Sequence, residues 1–182
     1  MQCVARAVVC LALSVSLAAT DGSVWLDVPF VKQQTNGCGA AVISMVLQYW
    51  AKASGRALDD ASNQHEIQRE LYVPQAHGIY SSEIVSYFSN HGFQTFTFPG
   101  KWEDLEHHIR KGRPLIVGVK PSQGALHYVV VTGIDTEMGI LMVNDPAQRK
   151  LLKENRASFQ REWNATDNWT LLAIPRQSGP GS

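Results

Sequence analysis

The chain has 182 residues, and its sixteen basic and sixteen acidic side chains cancel. No basic block is present to track phosphates, which argues against a nucleic-acid partner. A hydrophobic content of 45% and a charged content of 18% are those of an ordinary globular protein, long enough for one domain around one sizeable core.

The first element is a targeting signal. Residues 1–20, MQCVARAVVCLALSVSLAAT, place one positive charge, Arg6, ahead of an apolar run over 7–19 that ends in small residues. That is the layout of a secretory signal peptide, and the run falls short of the about 20 apolar residues of a membrane span. Cleavage after Ala18 or Ala19 is expected, with no stable membrane span afterwards and with export to a periplasmic or extracellular setting. Cys3 and Cys10 lie in this segment, so the mature chain keeps Cys38 alone. In an oxidising compartment a single thiol is inert in the core, paired with another chain, or reactive.

Residues 24–31, VWLDVPFV, read as an extended segment. The stretch QQTNGCGAAVISMVLQYWAKA then sets Cys38 between two glycines at the head of an apolar helix that Gly55 closes. Polar residues 62–71 read as a second helix. YSSEIVSYFSNHG reads as a third, with Ser81 or Ser82 as its cap and Gly92 as its stop. FQTFTF is a strand, and KWEDLEHHIRKG a short helix ending at Gly112. RPLIVGVK, LHYVVVTGID and GILMVNDP are three β-rich runs, the last two joined by a hairpin at residues 136–139. ASFQREW reads as a small helix, WTLLAIP as a last strand, and residues 177–182 as a polar tail. The domain is therefore expected over 24–176. Helices come first and an antiparallel sheet second, which is an α+β arrangement. Trp50, Trp102, Trp163 and Trp169 read as core residues. The tripeptides NAT at Asn164 and NWT at Asn168 fit a glycosylation acceptor, which matters only in a eukaryotic secretory host.

Cys38 at a helix N-terminus meets partial positive charge and unpaired amides, both of which favour the thiolate. Glycine on either side would let a substrate backbone approach. A thiolate nucleophile needs a proton-transfer partner. His65, His77, His91, His107 and His108 sit in polar or charged surroundings and read as surface residues. His127 instead opens the most β-branched run of the chain, directly after the flexible PSQGAL, where a general base would be rigidly held yet reachable. Its orienter would come from the far end of the next strand: Asp145, eighteen positions on, ahead of Pro146, with Asn144 as the rival on the opposite face. An oxyanion hole would combine the Cys38 amide with a side-chain amide from Gln33 or Gln34.

Together VPFVKQQTNGCGAAVISMVLQYW, HYVVVTGID and VNDP resemble the bacteriocin-processing, or double-glycine, peptidases of the papain-like superfamily, over most of the mature chain. The resemblance implies a papain-like α+β fold, a helical half facing an antiparallel sheet. It implies Cys38 as nucleophile, His127 as general base, Asp145 as its orienter and Gln33 as oxyanion donor, with Gln34 as the alternative because the loop length varies among relatives. The best-known relatives are domains of ATP-driven exporters. This chain shows no transporter segment and no nucleotide-binding motif and is closer to stand-alone exported members, so double-glycine specificity is not carried over.

Three functions follow from the pattern. The first is a cysteine peptidase working through an acyl-enzyme, the second an amidase or transacylase with the same triad, and the third a silent binding module. No cofactor and no metal are expected, since no ligand spacing such as His-Glu-x-x-His is present. The expected partner is a peptide or protein substrate, and the expected state a monomer.

Overall fold

The computed structural model describes residues 22–176. The expected signal peptide with Cys3 and Cys10, and the tail over 177–182, lie outside the described residues. A short strand, β1 (Ser23–Trp25), leads to the helix α1 (Cys38–Ala53). Nine consecutive residues of α1, from Gly39 to Leu47, are buried. A helix apolar on all sides belongs in the interior, and α1 is the spine of the molecule. Gly55, at φ +65°, takes the chain out of it. The amphipathic α2 (Gln64–Leu71) is capped by Asn63, whose side chain accepts from the His65 amide at 2.9 Å.

The next helix, α3 (Ser81–Asn90), starts differently from the sequence expectation. Neither serine caps it; Tyr80 holds the N-cap position with no side-chain bond, and both serines are already helical. Then come β2 (Phe93–Pro99), α4 (Trp102–Arg110), β3 (Leu115–Val119), β4 (His127–Asp135) and β5 (Ile140–Asn144). The chain closes with β6 (Leu152–Asn155), α5 (Arg156–Asn164) and β7 (Trp169–Pro175). Single 3-10 turns occupy Asp60–Ser62 and Pro74–Ala76.

The strands form one seven-stranded antiparallel sheet in the order β2-β7-β3-β4-β5-β6, with β1 paired to the far end of β4. Side chains alternate between its two faces. Ile116, Tyr128, Val130, Leu171 and Ala173 meet α1 and α3 on one side. Val117, Val129, Val131, Val143 and Leu172 meet Leu105 and Ile109 of α4 and Phe159 and Trp163 of α5 on the other. Covered on both faces, the central strands read as unbroken apolar runs rather than alternating ones.

The helical half and the sheet half of the α+β expectation are both present, and the second helical layer adds to them. Two features had little sequence signal. The polar LKEN of β6 is a strand because β5 offers it an edge, with Ile140 opposite Asn155. Strand β7, last in sequence, lies inside the sheet between β2 and β3.

Candidate active site

Three chain segments meet where α1 points its N-terminus at the sheet. Cys38 is the first residue of α1, His127 the first of β4, and Asp145 directly follows β5. The hairpin brings the last two together. Strands β4 and β5 pair with Asn144 opposite Val130, and a register shift between Val131 and Gly133 takes up the extra residue. That leaves Asp145 just past the ladder, on the side of His127.

His127 Nε2 and Asp145 Oδ1 are 2.8 Å apart. Cys38 and His127 line one cavity, and each shifts the titration of the other. With Nε2 occupied by the carboxylate, Nδ1 is the ring nitrogen left for the thiol. Asp145 is itself held from several sides. Its Oδ1 accepts from the Ala147 amide at 2.8 Å, and its Oδ2 accepts from Gln148 Nε2 at 2.6 Å. Only 7% of its side chain is exposed.

Burial, taken alone, would favour the neutral form of each group. For Cys38 that upward push is outweighed by the His127 hydrogen bond and by the backbone groups of Tyr128 and Gly39, so the thiol titrates below its ordinary value of 9.0. No acidic residue in the first turn of α1 opposes the negative charge. For His127 burial pushes down, yet the bonds to Asp145 and Cys38 raise it to about 9. For Asp145 burial pushes up, and His127, Ala147 and Gln148 hold it below the carboxylate range. All three shifts run in the direction of a thiolate, an imidazolium and a carboxylate.

The two glutamines part company. Gln33 lines a cavity of about 350 Å³ together with Cys38 and His127. Its Oε1 is buried without a partner, and its backbone N–H donates to the Pro146 carbonyl at 2.9 Å, tying this loop to the Asp145 turn. Gln34 is exposed, and its Nε2 lies 2.7 Å from His65 Nδ1, so it faces α2. Asn144, the rival of Asp145, is fully buried. Its Nδ2 donates to the Val28 carbonyl at 3.2 Å and its Oδ1 accepts from the Leu151 amide at 3.0 Å, which pins the leading segment to the sheet.

The glycines beside Cys38 correct one expectation. Both are buried and face protein rather than substrate. A Cβ on Gly39 would sit 2.9 Å from Ile79 Cβ, and one on Gly37 would meet the Gln34 backbone at 3.1 Å. They let residue 79 and the 33–37 loop close against the helix that Cys38 opens. The sequence reading also missed Gln148 and the Ala147 amide, although Asp-Pro-Ala is a pattern in which an aspartate side chain bonds the amide two residues on. His77 is exposed, as expected, and also lines the cavity.

The sequence profile of the Peptidase_C39-like family matches residues 25–170. The chain belongs to that family. No curated protein matches it significantly. Among solved structures, a Bacillus anthracis protein described as a C39-like peptidase is 18% identical with a TM-score of 0.65, over 86% of this chain and 99% of that one. The peptidase domain of Streptococcus ComA, a bifunctional ABC transporter of a quorum-sensing pathway, is 23% identical with a TM-score of 0.62, over 81% and 97%. A double-glycine-motif protease from an AMS/PCAT transporter, solved with its leader peptide, is 22% identical with a TM-score of 0.63, over 84% and 94%. At these identities the structural likeness establishes the fold. Among the described residues of this C39-like chain, no helix is long and apolar enough to cross a membrane.

Proposed function

We propose that the protein is a cysteine peptidase that cuts a peptide bond through a covalent acyl-enzyme. The observation that carries this is the convergence of Cys38, His127 and Asp145, from three separate elements, with pKa values displaced toward a thiolate–imidazolium pair. Family membership supports the same class.

The steps follow from the geometry. Cys38 Sγ, as the thiolate, attacks the carbonyl carbon of the scissile bond. Negative charge moves to the carbonyl oxygen, where the Cys38 backbone N–H and the Gln33 side-chain amide serve as donors. The imidazolium of His127 gives its Nδ1 proton to the leaving nitrogen, so the amine departs neutral and a thioester remains. The neutral ring then takes a proton from water as that water attacks the thioester, and collapse of the second adduct releases the acid and restores the thiolate. Asp145 holds the ring and favours its charged form throughout. No step calls on a metal or an organic cofactor.

Residues 1–20 act, in this proposal, as a signal peptide that exports a monomeric domain over 24–176 to the periplasm or the exterior. The decisive experiment incubates the mature protein and its Cys38→Ser variant with a peptide library and compares the new termini. Products made by the wild type alone are expected; identical products from both would end the peptidase assignment.

A further inference from the structure

Building on the peptidase reading of this cleft, we propose that His77 is a substrate-binding residue, its imidazole N–H donating to an acceptor oxygen of the peptide held beside Cys38. Three observations carry this. First, His77 lines the same cavity as Cys38, Gln33 and His127. Ala125, Leu126 and Tyr128 also line it. Asn36, also on the cavity, spends its amide on the Tyr72 hydroxyl at 3.4 Å. With Gln33 assigned to the oxyanion, His77 and Tyr80 are lining polar side chains without a hydrogen-bond partner among the described residues, and of the two His77 sits within the closed loop over 73–78.

Second, its placement is rigid. The loop closes on itself through Val73 N–H to Gly78 O at 2.9 Å, Ala76 N–H to Val73 O at 3.1 Å and His77 N–H to Pro74 O at 3.1 Å. The next residue but one, Ile79, is buried against Gly39, so the loop is locked to the turn that carries the nucleophile.

Third, His77 holds a left-handed backbone, φ 48° and ψ 39°. A side chain there costs about 1 kcal/mol or more where glycine would be free, and such cost gathers at ligand-binding positions. The cavity thus combines apolar lining residues with an imidazole carried on an anchored loop. An acceptor near the scissile bond meets that donor, whether it is a backbone carbonyl or a side-chain carboxylate.

The test uses His77→Gly, which keeps the backbone conformation and removes the ring, and His77→Asn, which tolerates the same conformation and retains a donor. The probe is a random decapeptide library, followed by the single decapeptide that the mature protein selects from it. For His77→Gly, KM is expected to rise on the order of tenfold with kcat within about twofold, as for loss of one substrate hydrogen bond. His77→Asn should recover part of the loss. The same weakening should appear in the Kd of the peptide for a Cys38→Ala background, where no hydrolysis occurs. Glu and Gln versions of the peptide separate the two sources of the acceptor. An equal loss in both marks a backbone carbonyl, and a loss confined to the Glu peptide marks a carboxylate. Unchanged KM and Kd in His77→Gly, or a fall in kcat alone, overturns the proposal and leaves the peptidase reading standing. Weakened binding to Cys38→Ala with no cleavage by wild type does the reverse.

Discussion

Replacing Asp145 by Asn isolates the electrostatic part of the triad. The amide can still place an oxygen where Oδ1 accepts from His127 Nε2 at 2.8 Å and from the Ala147 amide at 2.8 Å. Its nitrogen takes the place of Oδ2, and Gln148 can turn its own amide to meet it. The carboxylate charge is what disappears. The rise of His127 from 6.5 to about 9 is worth about 3 kcal/mol in favour of the imidazolium, at about 1.4 kcal/mol per tenfold change. Burial opposes that rise, and Asp145 and then Cys38 supply it, so losing the Asp145 charge removes on the order of half, about 1 to 2 kcal/mol. The sign is fixed by the direction. A raised imidazole keeps its proton up to about pH 9 in the wild type, and without the carboxylate it gives the proton up sooner.

The alkaline limb of kcat/KM against pH should therefore move down by about one pH unit, with a loss approaching about tenfold at the high-pH end of that limb. Alkylation of Cys38 by iodoacetamide over the same range follows the thiolate without needing a substrate. It should slow in the neutral range, because the ion pair loses its support. An alkaline limb unmoved by Asp145→Asn would show that the carboxylate only holds the ring in place, and the charge argument would fail.

Other expectations concern the loop, the glycine and the mature terminus. Gln33→Ala should lower kcat by about a hundred- to a thousandfold with KM little changed, as for one lost oxyanion donor. Gln34→Ala, which removes a contact to exposed His65, should stay within a few-fold of wild type in the same assay. Gly39→Ala sets a methyl 2.9 Å from Ile79 Cβ and should cost about 1 to 3 kcal/mol in chemical denaturation. Ile79→Ala in the same chain should return part of that; equal losses in the single and double variants would place the clash elsewhere. Asn144→Ala leaves the Leu151 amide and the Val28 carbonyl unanswered and should lower stability by about 1 to 3 kcal/mol. Mass spectrometry of the exported protein should find its first residue just after Ala18 or Ala19; an intact N-terminus would remove the export proposal.

Much of this protein was legible in one dimension because the signals were local. A glycine-flanked thiol ahead of an apolar run, a β-branched strand opening on His127, and a second strand ending in Asp-Pro each depend on residues within about ten positions of one another. The hairpin at 136–139 converts two of those signals into a distance, since paired strands of known length bring their outer ends together. The hairpin therefore predicts His127 beside Asp145, and their side chains lie 2.8 Å apart.

What tertiary structure alone decided are the choices between equals. Gln33 and Gln34 are adjacent and chemically identical. Only the packing of α2 turns one toward His65 and leaves the other on the cavity. Asp145 and Asn144 are likewise adjacent, and the buried carbonyl of Val28 claims the amide. The glycines beside Cys38 are small because Ile79 and Gln34 press on them from segments that no local pattern connects. Strand β7 enters the sheet between β2 and β3, although Pro99 and Trp169, which pair in the ladder, lie seventy positions apart in the chain (169 − 99). Side-chain type and spacing set which chemistry was available to this chain. Long-range packing, which costs chain entropy and leaves no periodic trace in sequence, set which of two like residues reaches the cleft.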